Sequence, residues 1–204
     1  MKTRSKLWWE KFWSNKSHDF GNKANPKLLK FAKGLIKGKK NLTALDLASG
    51  NGRYAIALAK LGYKVDAIEI SNSGVKRILE NAKNENVKVN AKQGNMVKLN
   101  LKNKKYDLIF CVGGLEELNK KYRERLLNKI VNWTKQGGIN VIKYCLEINT
   151  RGKLIEEGFV RKFYQDKDYN ILFSEEEKKL TSAKAHLDVP EKIRTGTIIT
   201  KKHY

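Results

Sequence analysis

The sequence predicts an α/β chain: a doubly wound, mostly parallel seven-stranded sheet that ends in an antiparallel C-terminal hairpin and follows an N-terminal helical segment. Three observations carry this expectation. From Leu42 onward, short apolar runs alternate with helical stretches of 10 to 17 residues, the pattern of repeated βαβ units. The first run closes on a glycine turn, "DLASGNGR", that opens into a helix. Near the end, "YNILFSEEEKK" and "KIRTGTIITKK" are strand-like with no helical pattern between them, so they should pair with each other at a sheet edge.

Each element follows from its local pattern. Residues 4–16 place Trp8, Trp9, Phe12 and Trp13 on one face of a short helix with lysines opposite. The turn-like "SHDFGNKANP" follows, and Pro26 suits the first turn of a second helix reaching about Gly38. Strands are expected near 42–48, 64–70, 87–92, 106–112 and 139–146, and helices near 52–61, 73–84, 118–134 and 153–165. With no internal repeat and no linker rich in proline, glycine or serine, residues 1–40 read as a helical lid belonging to the same domain as 41–204.

Composition narrows the function classes. A chain of 204 residues is long enough to bury one sizeable core. No window approaches the roughly 18 uninterrupted apolar residues of a membrane span, and "MKTRSKLWWEKFW" is too charged for a secretory signal. Cys111 and Cys145 lie in apolar runs without metal-ligand spacing, and His18, His186 and His203 are scattered, so neither a zinc site nor a disulfide framework is indicated. A cytoplasmic protein without a metal centre is expected. The formal charge of +22 would attract a polyanion, but only eight of the 43 basic residues are arginine and the lysines are spread evenly. A solvated surface is the favoured account of that charge; nucleic acid is a possible partner but not the favoured one.

The glycine turn is the informative motif. Ligands of open α/β sheets bind at the carboxyl ends of the strands, where Gly50 and Gly52 let the backbone approach closely. The helix that follows presents unpaired N–H groups and a positive dipole end to an anionic group. Glu69, 17 residues beyond Gly52, closes the second strand, where an acid can accept both hydroxyls of a ribose.

"LDLASGNGR" resembles the first motif of class I S-adenosylmethionine-dependent methyltransferases, an acid followed by alternating glycines. Asp46, Gly50 and Gly52 match, and Ala48 takes the first glycine position, a mild change if φ there is negative. The resemblance implies a Rossmann-like methyltransferase fold with S-adenosyl-L-methionine as cofactor. It implies that Asp46, Ala48, Ser49, Gly50, Gly52 and Arg53 surround the methionine end, that Glu69 holds the ribose with Ile70 beside the adenine, and that Asn95 and Met96 of "QGNM" meet the adenine. "YDLIFCVGGLEEL" is similar to the fourth strand and the loop facing the transferable methyl, where Cys111, Val112, Gly113 and Gly114 leave room for a small acceptor. "FGNKANPKLLKFAKGL", "GNGR" and "EEGFVRKFYQ" are similar to tellurite-resistance methyltransferases, whose acceptors are small and electron-rich. Trp8, Trp9, Trp13, Phe20 and Tyr54 are candidates for the lid and acceptor pocket, and Arg53 for pairing with an anionic acceptor or with the cofactor carboxylate.

Three other readings remain. Gly50-x-Gly52-x-x-Ala55 also satisfies the dinucleotide fingerprint of an NAD-dependent dehydrogenase, although Asp46 would repel a pyrophosphate and no Tyr-x-x-x-Lys pair is evident. An RNA methyltransferase could use the N-terminus, whose first 40 residues carry twelve Lys and Arg against two acids, with tryptophans able to stack on bases. A non-catalytic cofactor-binding protein is the third. Transfer of a methyl group to a small-molecule acceptor, such as a thiol or a selenium or tellurium oxyanion, is the favoured reading. It needs alignment and exclusion of water, with a base only for a protonated acceptor, and no catalytic acid or base is identifiable in the sequence.

Overall fold

The computed structural model describes residues 6–146, 155, 158–165, 167, 169–180 and 192–203. Two N-terminal helices, α1 (Lys6–Ser14) and α2 (Pro26–Ile36), precede the sheet. Then come β1 (Thr43–Leu47), α3 (Arg53–Lys60), β2 (Lys64–Glu69), α4 (Asn72–Asn84), β3 (Val89–Gln93) and β4 (Tyr106–Val112). A 3-10 turn (Leu115–Glu117) leads to α5 (Lys120–Trp133), β5 (Thr134–Cys145), α6 (Phe159–Gln165), β6 (Tyr169–Leu180) and β7 (Lys192–Lys202).

The seven strands lie in the order β3-β2-β1-β4-β5-β7-β6. The first five are parallel, while β7 runs antiparallel to both β5 and β6, which is the expected terminal hairpin. Alternation along the strands divides the core between the two faces. Leu45, Leu47, Ile109 and Cys111 face Leu126, Leu127 and Ile130 of α5 and Val160 and Tyr164 of α6. Ala44, Leu108 and Phe110 face Leu28 and Ala32 of α2, Tyr54, Ala55 and Leu58 of α3, and Ile78 of α4. Every loop at the carboxyl ends of β1, β2 and β4 therefore opens on the same edge of a doubly covered sheet.

Two boundaries differ from the sequence expectation. The fifth strand starts at Thr134 rather than near 139, because Tyr106 pairs with Thr134 while Leu108 pairs with Ile139 across a bulge. "TKQGG" has little strand propensity; the bulge and the left-handed Gly137 (φ +69°) accommodate it. Of the helix expected near 153–165, Phe159–Gln165 is described, and residues 151–154, 156, 157 and His186 lie outside the described residues. No helix among the described residues is long and apolar enough to cross a membrane.

Candidate active site at the glycine loop

The loop from Ala48 to Gly52 is pinned from both sides. The Ser49 N–H donates to the Ile68 carbonyl (3.1 Å), and the Gly52 N–H to the Ser49 carbonyl (2.9 Å). Its glycines are required: a Cβ on Gly50 (φ +57°) would fall 2.8 Å from Cζ2 of Trp13, and one on Gly52 (φ +83°) 2.9 Å from Cγ2 of Ile78. Ala48 has φ +56°, so its backbone is left-handed. Alanine therefore carries strain here, on the order of 1–2 kcal/mol, and the condition under which the change from glycine would be mild is not met.

Two buried carboxylates frame this loop. Asp46 accepts from the Ala55 N–H (3.1 Å) in the first turn of α3, and burial raises its carboxyl to about 7 against the hydrogen bonds that favour the ionised form. Glu69 accepts the Gly50 N–H on Oε2 (3.0 Å) and the Ser71 N–H (3.1 Å) and hydroxyl (2.9 Å) on Oε1. Its carboxyl is also raised, burial again leading. A carboxylate oxygen can accept two donors, so Oε2, which holds one, keeps capacity for one further hydroxyl. A Cβ on Gly74 would lie 2.6 Å from Cγ of Glu69, so that glycine lets α4 press its first turn against this acid.

The N-terminal segment closes over the loop. Phe12 and Trp13 are buried, with Trp8, Trp9 and Phe20 packed around them at ring separations of 4.8–6.3 Å. Polar ties lock this aromatic cluster to the body. Glu10 accepts the Asn72 (2.7 Å) and Ser73 (2.9 Å) N–H groups at the start of α4. The Arg77 guanidinium donates to the carbonyls of Asn15 (2.6 Å) and His18 (2.7 Å) and lies 5.3 Å from the Trp13 ring. Asn51, inside the loop, donates to Asp19 (2.8 Å), Asn22 (3.0 Å) and the Gly21 carbonyl (3.2 Å).

The remaining sequence candidates are distributed as follows. Arg53 donates to the Phe20 carbonyl (2.7 Å), a tie to the N-terminal segment rather than to an open pocket. Tyr54 is buried against Phe110 on the α2/α3 face of the sheet, not in the aromatic cluster. Ile70 is half-buried beyond Glu69, and Asn95 is exposed, its side-chain oxygen accepting the Val97 (2.9 Å) and Lys98 (3.2 Å) N–H groups. Met96, Cys111 and Ala48 converge around Gly114: a Cβ there would meet the Ala48 methyl at 3.0 Å, Sγ of Cys111 at 3.3 Å and Cε of Met96 at 3.4 Å. Burial pushes the Cys111 thiol far up, which removes it as a nucleophile. Val112 is half-buried and Gly113 (φ +79°) exposed. Among the described residues no group of three His, Cys, Asp or Glu side chains could hold a metal.

Sequence reasoning missed Glu10, Asn51, Arg77 and Glu116. The first three act across more than 28 residues of sequence, beyond the reach of local patterns. For Glu116 the signal was present: "GGLEEL" puts two acids just after the glycines that end β4, in a chain where bases outnumber acids two to one.

The strand order and the glycine loop form a Rossmann-like methyltransferase fold, and residues 44–138 match the family described as a methyltransferase domain. The chain is 31% identical over 137 residues to the ubiquinone biosynthesis O-methyltransferase of Rickettsia akari, covering 64% of this chain and 53% of that protein. The chain thus spans about half the length of the curated relatives it matches first. In fold it is similar to TehB from Haemophilus influenzae (TM-score 0.76, 18% identity, 97% of this chain and 66% of that one). It also resembles magnesium protoporphyrin IX methyltransferase from Synechocystis with bound SAM (TM-score 0.68, 15% identity, 97% and 96%).

Proposed function

We propose that this protein is a cytoplasmic enzyme that transfers a methyl group from S-adenosyl-L-methionine to a small-molecule acceptor. The observation that carries the reading is the cradle itself: a glycine loop tied to the acid that ends β2 and roofed by an indole. The residues fit the cofactor. The Trp13 Nε1 is buried against the loop with no hydrogen-bond partner, a donor suited to an anionic group such as the cofactor carboxylate. Asp46, Ser49, Gly50 and Gly52 would surround the methionine end, Glu69 and Ile70 the ribose, and Asn95 and Met96 the adenine. Bound there, the cofactor supplies an electrophilic methyl on a sulfonium, whose departure as a neutral thioether needs no acid.

The chain's own work is then alignment and exclusion of water. Residues 1–40 act as the lid of the single domain, with Trp8, Trp9, Phe12, Trp13 and Phe20 as its dry underside and Arg53 as one of its fastenings. The acceptor enters beside Cys111, Val112, Gly113 and Gly114. The packing of Phe12 and Trp13 into the lid occupies the ring faces that an RNA reading would need for stacking.

Calorimetric titration with S-adenosylmethionine, S-adenosylhomocysteine and NADH tests the reading. The two sulfur compounds should bind and NADH should not. NADH binding in their place would make the loop a dinucleotide site, and binding of none of the three would leave a methyltransferase fold without its cofactor.

A further inference from the structure

The end of β4 holds a carboxyl group that cofactor binding leaves unused. Beyond the exposed Gly113, the 3-10 turn Leu115–Glu117 brings the Glu116 side chain back toward the loop: a Cβ on Gly113 would lie 3.9 Å from Glu116 Oε1. The other oxygen, Oε2, is buried and has no hydrogen-bond partner. The turn itself is held by Arg123, whose Nε donates to the Leu115 carbonyl (3.1 Å). The Cys145 thiol at the end of β5 donates to the Glu116 carboxyl, so this group sits where the carboxyl ends of β4 and β5 adjoin. A side chain on Gly114, two residues before it, would meet Ala48 of the glycine loop and Met96 at once. A buried carboxyl oxygen without a donor is costly to keep, and here it stands at the acceptor side of the cradle.

We propose that Glu116 is a catalytic residue: its free oxygen accepts a hydrogen bond from a protonated hydroxyl of the acceptor and takes that proton as the methyl is transferred. The inference rests on the methyl-transfer reading above and narrows its acceptor. The acceptor oxygen bonds the methyl carbon as the carbon–sulfur bond breaks, the bonding pair stays on the thioether sulfur, and the hydroxyl proton passes to Glu116 and from there to water. An acceptor of this class is neutral and carries an O–H, as a phenol does. A thiolate has no such proton to give, and a thiolate or a selenite or tellurite oxyanion sets a second negative charge beside the carboxylate. The geometry therefore favours hydroxyl acceptors over the oxyanions that the tellurite-resistance resemblance suggested.

The surrounding charges poise the group for this step. Burial raises the Glu116 carboxyl to about 7; the neighbouring Glu117 adds to the rise, while the Cys145 hydrogen bond and Arg123 of α5 oppose it. Cys111 on β4 feels both Glu116 and Asp46, and Lys143 on β5 acts on Cys145. A base must be ionised to accept a proton, so activity should rise with pH through about 7.

The test uses catechol as probe acceptor with labelled S-adenosylmethionine on the full chain. Wild type should methylate catechol with kcat/KM climbing through about pH 7. Glu116→Gln should lose roughly 100-fold or more together with that limb, as removal of a general base does, while calorimetric donor affinity changes less than about threefold, a factor worth only ~0.7 kcal/mol. Independently of turnover, the Glu116 carboxyl carbon, observed by NMR in wild type and assigned by its loss in Glu116→Gln, should titrate near 7 and shift when catechol binds. Donor binding without transfer to catechol overturns the inference, as does a Glu116→Gln variant that keeps rate and pH limb, or a carboxyl signal indifferent to catechol. Failure of wild type to bind the donor defeats the methyl-transfer reading itself, a separate outcome.

Discussion

The methyl of Ala48 stands 3.0 Å from the position that a side chain on Gly114 would take, so the glycine loop and the loop after β4 leave no room for a second methyl between them. The strained alanine on one loop is matched by a glycine on the other.

That pairing makes the two positions energetically dependent. Ala48→Gly should stabilise by about 0.5–1 kcal/mol, the relief of left-handed strain minus the added freedom of the unfolded chain. Gly114→Ala should destabilise by about 1–3 kcal/mol through overpacking. Combined, the two changes should cost about 1 kcal/mol or more less than their sum, a coupling readable from urea melts of all four proteins. Strict additivity would mean the loops do not meet as described.

Trp13 joins the N-terminal segment to the glycine loop, and Glu10 fastens that segment to α4. Trp13→Ala should weaken S-adenosylmethionine binding by roughly tenfold or more, about 1.4 kcal/mol, with a smaller loss for Glu10→Gln. The Glu10 carboxyl is held below its ordinary range, first by the Ser73 hydroxyl, so the fastening is complete above the unfolded value near 4.5 and loosens as pH falls through the lowered one. Calorimetry at pH 7 and at descending pH below 4.5 reads both effects, and an undiminished affinity in Trp13→Ala would separate the aromatic cluster from cofactor binding.

Asp46 predicts an unusual dependence of stability on pH. Because burial raises its carboxyl from 3.8 to about 7, the folded chain binds this proton more tightly than the unfolded one. The resulting stability is fully present below the unfolded value and is lost as pH rises through about 7. Glu69 and Glu116 shift in the same direction, so the cofactor-free protein should weaken between pH 4 and pH 8. Asp46→Asn should flatten that decline by on the order of 4 kcal/mol; urea midpoints at several pH values measure it, and an unchanged slope would place the titration elsewhere.

The sheet was legible because its strands are buried on both faces and read as continuous apolar runs, "AIEI" and "LIFCV" among them. The glycine loop and Glu69 were legible because strand, turn, helix and acid fall within 30 residues of chain. The sign of φ at Ala48 was not, since alanine is a poor marker of left-handed backbone. Thr134–Gly138 was hidden as strand because its pairing depends on a bulge against Tyr106. Arg53 reads alike whether its guanidinium meets a ligand or the Phe20 carbonyl 33 residues away, and only the fold decides between them.

Most fastenings of the N-terminal segment are hydrogen bonds between a charged or amide side chain and backbone, and the others join side chains that water reaches as readily. Water can replace such bonds at little net cost, so what resists lifting the segment is the wetting of its rings. Lifting it would then be a melting event confined to one strap, with the sheet below left intact. If the segment is the lid proposed above, it would lift less freely when aromatic contact is strengthened and more freely in mild denaturant. The frequency of lifting, rather than bond making at the sulfonium, would then set the pace at which spent cofactor leaves.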